Sequence, residues 1–138
     1  MQQPENYRFR IKRVYELPDK HDGRRILVDR LWPRGLTKEK ASIDLWLKDI
    51  APSMELRKWF GHNPDRWEEF KERYLAELKG NSDQIQLLKQ ELDKGIVTLV
   101  YGAKDEDHNQ ACAILIIFYC LPRLFEALVK NWMAGSCR

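Results

Sequence analysis

Residues 96–101 read IVTLVY, a β-branched, almost wholly apolar run without polar alternation. A strand that faces water on one side alternates in polarity, whereas a strand covered on both faces does not. The run therefore predicts a central strand between two layers. A second apolar stretch, Ile26-Leu27-Val28, reads as a neighbouring strand over 25–29. Residues 8–15, RFRIKRVY, place Phe9 and Ile11 between charged residues, as in a half-buried strand.

Helical signals fill the rest of the chain. Ser53 is a good cap for a short helix through Trp59, which Gly61 ends. Asn63-Pro64-Asp65 combines a capping side chain, a proline suited to the first turn and an acidic residue that complements the helix dipole. Trp67, Phe70, Tyr74, Leu75 and Leu78 then recur at helical spacing up to Gly80. Ser82 is expected to cap the next helix, with Ile85, Leu88 and Leu92 on one face and Gly95 after it. A last apolar helix is expected from about Asp107 to Tyr119, with Pro122 kinking or restarting it. Residues 36–41 suit a short helical turn. Residues 43–47 suit a third extended segment, although Trp46, Leu47 and Ile50 also fit a helix face.

Strands separated by helices imply an α/β fold, a small and mostly parallel sheet flanked by helices. The turn-rich segment 17–25, with Pro18, Asp22 and Gly23, is short enough to allow an antiparallel pair at one edge. At 138 residues the chain is expected to form one domain, with residues 1–7 and 134–138 as loose termini.

Composition narrows the function classes. A net charge of +3 permits nucleic-acid binding without arguing for it. The three cysteines, Cys112, Cys120 and Cys137, form no CxxC pair and have no histidine at zinc-ligand spacing. Buried thiols in a reducing cytoplasm are expected, with no metal and no cofactor. The opening MQQPENYRFR has no apolar core of signal-peptide length, and Ala111–Leu121 is too short to span a bilayer, so no membrane partner is expected. Phosphate-loop, dinucleotide, GxSxG and HExxH motifs are absent. The sequence does not specify an oligomeric state.

Two strand ends carry clustered polar residues. After Val28 the polarity changes abruptly into Asp29-Arg30-Leu31-Trp32-Pro33-Arg34-Gly35. After IVTLVY come Lys104, Asp105, His108, Asn109 and Gln110, at the start of a helix. If the two strands are parallel neighbours, their carboxyl ends open into one crevice, where an open α/β sheet binds ligands. Arg30, Arg34 and Lys104 would hold negative charge, helped by the helix N-terminus. Asp29, Asp105 and His108 are the candidate acid–base groups. Trp32, His62, Asn109 and Gln110 are candidate binding residues. The expected ligand is a small anion such as a nucleotide, a phosphorylated metabolite or a nucleic-acid end, and the expected chemistry, if any, is hydrolysis or group transfer. The rival reading is a non-catalytic module that contacts nucleic acid or protein. Each residue also has a plain structural role open to it. Asp29 can pin a loop through an arginine, Asp105 can cap the helix, His62 can merely precede a cap, and the tryptophans can anchor loops.

DRLWPRG at 29–35, IAPS at 50–53, LRKWFGHNP at 56–64 followed by Trp67 and Phe70, and YGAKDEDHN at 101–109 together resemble the YeaO-like proteins, domain of unknown function 488. The resemblance runs from about residue 8 to residue 120. It implies a compact α/β domain of a bacterial-type cytosolic protein and little biochemistry. Members of that branch typically show His-Asn-His where this chain has His108-Asn109-Gln110. Glutamine exchanges hydrogen bonds but does not titrate, so any acid–base role of the second histidine is missing here.

Overall fold

The computed structural model describes residues 8–120. The expected kink at Pro122, both loose termini and Cys137 lie outside them. Among the described residues, five α-helices and four strands follow in the order β1 (Phe9–Arg13), β2 (Arg24–Leu27), α1 (Lys38–Ala41), β3 (Leu45–Trp46), α2 (Met54–Phe60), α3 (Trp67–Lys79), α4 (Ser82–Lys94), β4 (Val97–Tyr101) and α5 (Gln110–Cys120). No helix among these residues is long and apolar enough to cross a membrane.

The sheet has the order β1-β4-β2-β3 and every pairing is parallel. β4 lies in the interior, and all five of its residues are buried, as the unbroken apolar run requires. Val28, just past β2, continues the ladder by donating its N–H to the Val100 carbonyl at 3.2 Å. The antiparallel edge allowed by the short turn is not formed. β1 and β2 flank β4 instead of pairing with each other, so residues 14–23 act as a crossover without an α-helix. Parallel strands usually need a helical crossover of a dozen or more residues. Here the path is fixed by discrete bonds. Val14 N–H donates to the Tyr101 carbonyl at 2.8 Å, and Thr98 Oγ1 donates to the Asp22 carbonyl at 2.7 Å.

The two faces of the sheet are therefore covered differently. Phe9, Ile26, Val28, Val97, Leu99 and Tyr101 face a large core formed with α2–α5. Alternate residues Leu27 and Val100 face a smaller cluster with Val14 and Ala41, roofed by Trp32, Leu36 and Ile43. At the lower end of that second face, the Arg25 guanidinium is buried. It donates to Asp22 Oδ2 at 2.7 Å and to the Ala41 carbonyl at 2.9 Å, tying the crossover to the end of α1. A buried arginine is tolerated only when its donors are filled in this way.

The caps follow the sequence with one exception. Ser53 Oγ accepts from Leu56 N–H and donates to Glu77, joining α2 to α3. Asn63 opens a 3-10 turn over Pro64–Arg66 that leads into α3. Gly61, Gly80 and Gly95 end their helices. Ser82 is the first residue of α4 and not its cap; Asn81 precedes it without a side-chain capping bond. Between α2 and α3, the Phe60 and Phe70 rings stack with centroids 4.4 Å apart.

Gly23 is where the crossover enters β2. It adopts φ +66°, and a Cβ there would overlap the Ile96 carbonyl that accepts the Arg24 N–H at 2.9 Å. Gly23→Ala is expected to cost at least about 2 kcal/mol, from left-handed strain plus loss of that close approach. A urea melt checks it: the midpoint should fall with little change in slope.

Candidate functional site

Because β2 and β4 are parallel neighbours, both polar clusters emerge at the same edge of the sheet. A cleft of about 310 Å³ opens there, between α2 and the start of α5. Phe60, Phe70, Pro52 and Ala103 line it with apolar surface, and Leu31 and Met54, both largely exposed, stand at its lip. Arg57, Lys58, His62, His108, Asn109 and Gln110 complete the lining.

Asp29 sits behind Gln110. Its Oδ2 accepts the Gly102 N–H at 2.8 Å, and its Oδ1 accepts the Gln110 side-chain amide. A Cβ on Gly102 would lie 3.0 Å from that Oδ2, so glycine there permits the close approach. Burial pushes the Asp29 carboxyl above the ordinary aspartate value, against the opposing pull of the Gly102 N–H, the Arg57 charge and Gln110.

At the other cluster, Asp105 Oδ1 accepts the N–H groups of Asp107 and His108 at 3.0 and 3.1 Å. Its Oδ2 lies 2.9 Å from His108 Nδ1. Burial works to raise the Asp105 pKa, but these backbone bonds and His108 outweigh it and hold it below the ordinary value. An ionised carboxylate can only accept, so Nδ1 of His108 carries the hydrogen of this bond. The ring stands edge-on to Trp67, with centroids 5.3 Å apart. Asn109 is buried and acts as the α5 cap: Oδ1 accepts from Cys112 N–H at 3.0 Å, and Nδ2 donates to the Asp105 carbonyl at 2.9 Å.

Of the other sequence candidates, only His62 lines the cleft among the described residues. Arg30 donates to the carbonyls of Ala51 and Pro52 at 3.1 and 3.3 Å, a loop anchor behind the cleft wall. Trp32 donates Nε1 to the Leu36 carbonyl at 2.7 Å and packs edge-on against Trp46. Arg34 is exposed, bound through its carbonyl to the Tyr15 hydroxyl, and Lys104 is exposed; neither lines the cleft. His62 does line it, held by a backbone at φ 56° directly after Gly61 at φ 54°. That conformation is uncommon for a residue with a Cβ and is typical of strained positions at sites.

Sequence reasoning missed Arg57, Lys58 and Met54. The signal was present: positions 54, 57 and 58 are i, i+3 and i+4 of one short helix, a single face. Among the described residues Arg57 and Lys58 make no hydrogen bond or ion pair within 4 Å, whereas Arg13 and Arg30 beside the site donate to carbonyls. Among the described residues, no carboxylate, hydroxyl or thiol lines the cleft. Cys112, at the start of α5, is buried, donates to the Glu106 carbonyl, and has its thiol pushed up to about 11 by burial. It is therefore an inert thiol near neutral pH. No group of three or more histidine, cysteine or acidic side chains among the described residues is placed to hold a metal ion.

The Asp29 bonds generate a paired test. Asp29→Ala leaves a backbone N–H and an amide without their acceptor and is expected to cost about 1–3 kcal/mol. Asp29→Asn should cost less than about 1 kcal/mol, because Gln110 can rotate its amide and accept from the new side-chain NH₂. The folded Asp29 carboxyl keeps its proton to higher pH than the unfolded one. Its contribution to stability is therefore full below the ordinary value of 3.8 and is lost as pH rises through the raised folded value. Chemical denaturation across that acidic window should show the wild-type advantage over Asp29→Asn shrinking as pH rises.

The chain matches the family model described as the inactive DUF488-N3 subclade over residues 8–119. It is 44% identical over 106 residues to the uncharacterized protein YeaO of Escherichia coli K12, covering 77% of this chain and 92% of that one. It is 40% identical over 107 residues to the uncharacterized protein Rv3073c of Mycobacterium tuberculosis H37Rv, covering 78% and 90%. No solved structure matches. A match across nearly all the described residues, supported by relatives this similar over most of their own length, means that the chain belongs to the YeaO-like DUF488 family.

Proposed function

We propose that the protein is a non-catalytic binding module whose cleft takes a small anionic ligand of the phosphate or nucleotide class. The observation that carries this reading is the cleft lining: among the described residues it holds two basic side chains that make no hydrogen bond or close ion pair, and two imidazoles, with no carboxylate, hydroxyl or thiol. Cations without partners favour an anion. A hydrolase or transferase working through a carboxylate, hydroxyl or thiol nucleophile would place one in the cleft. Of the three acid–base candidates, Asp29 is committed to two donors and Asp105 to the first turn before α5, which leaves His108 as the one that lines the cleft. The family's description as inactive agrees. A reducing, cytoplasmic setting suits the free, buried Cys112.

The basic residues that matter on this reading are Arg57 and Lys58, not Arg34 and Lys104. Titration with inorganic phosphate, followed by amide NMR shifts, tests it. Wild type should shift at residues around Arg57, Lys58, His62 and His108. Arg57→Ala combined with Lys58→Ala should weaken binding at least about tenfold, since each charge-assisted bond is worth about 1.5–3 kcal/mol. Arg34→Ala and Lys104→Ala should change affinity less than about twofold. Hydrolysis of p-nitrophenyl phosphate that disappears with His108→Ala would overturn the non-catalytic half of the reading.

A further inference from the structure

We infer that the ligand is a phosphate monoester carried on a flat apolar body, and that free phosphate and simple carboxylates are poor substitutes for it. The inference rests on the anion-binding reading above and specifies what else the cleft recognises.

The cleft is two-sided in chemistry. Arg57 and Lys58 project from one face of α2, and Met54 stands one turn earlier on that same face. The cationic end of the cleft is thus continuous with an apolar one. The apolar end is built from the Phe60 and Phe70 rings, stacked 4.4 Å apart, with Leu31 and Met54 at the lip. Leu31 is 66% exposed and Met54 55% exposed, so both offer apolar surface that no described residue covers. A bare inorganic anion would leave that surface wet. A ring laid between Leu31 and Met54 would cover it, and a thioether against an aromatic ring is a favourable contact.

Charge selects the head group. Arg57 and Lys58 bring two positive charges to the cleft, and Asp29, the carboxylate on which the Arg57 charge acts, is already bonded to Gly102 and Gln110. A phosphate monoester carries about −1.5 to −2 near neutral pH and three strong acceptor oxygens, against one charge and two oxygens for a carboxylate. The guanidinium of Arg57 suits such a group by its planar fork. Size sets the body. A volume of about 310 Å³ is at the low end for small-molecule sites, which fits one ring system with its phosphate.

The experiment compares three probes, phenyl phosphate, inorganic phosphate and benzoate, by calorimetry or NMR titration of the full chain. Phenyl phosphate should bind at least about tenfold more tightly than either of the others, the scale expected for covering part of an aromatic ring. Leu31→Ser, at an exposed position with little bearing on folding, should cut phenyl phosphate affinity about fivefold or more. Equal affinity for phenyl phosphate and inorganic phosphate would overturn the inference while leaving the anion reading standing. Benzoate binding as tightly as phenyl phosphate would overturn the assignment of the head group. Failure of all three to bind would remove the anion reading itself.

Discussion

The carboxylate of Asp29 holds the upper edge of the sheet together. It lies just past the end of β2, yet its two oxygens are filled by the chain leaving β4 and by the first residue of α5. The bridge ties the first residue of α5 to the end of β2, beside the Asn109 cap, on the side of the cleft opposite α2. Burial of the carboxylate is costly, and the two hydrogen bonds offset that cost only in part, so its proton is held above the ordinary range. A group under that constraint positions the cleft walls and is poorly free to do chemistry.

The asymmetry of the sheet explains where the cleft lies. On one face the helices α2–α5 pack over a large aromatic and aliphatic core. On the other, the crossover and the loop around Trp32 serve as the cover. The arginines of the DRLWPRG loop do not line the cleft: Arg30 anchors the segment before α2 behind its wall, and Arg34 stands near Tyr15. The unpaired cations come instead from α2, which lies over the carboxyl ends of β2 and β4. In an α/β sheet those ends are where ligands collect, and here the helix that overhangs them supplies the charge.

Much of this was readable from residue patterns because it depends on local or periodic information. IVTLVY specified a doubly covered strand, and the glycines at 61, 80 and 95 specified helix ends. The crossover was not readable, because a turn of the same length joins either antiparallel neighbours or, with the right anchors, parallel strands one apart. The anchors, Thr98 to Asp22 and Arg25 to Ala41, span long or irregular separations that no period encodes. At the site, the sequence identified the two strand ends that meet. It did not separate side chains that line a cleft from those spent on carbonyls. Arg30 and Arg57 are chemically identical, and only packing distinguishes an anchored guanidinium from an unpaired one.

The central claim is that Asp29 is a buried clamp between β4 and α5. A ¹³C NMR titration of its side-chain carboxyl addresses that claim directly, in wild type and in Gln110→Ala. The account predicts a wild-type midpoint above the ordinary 3.8, moving further up in the variant, because Gln110 stabilises the ionised form through its hydrogen bond. A midpoint at or below 3.8, unmoved by loss of the Gln110 amide, would contradict it.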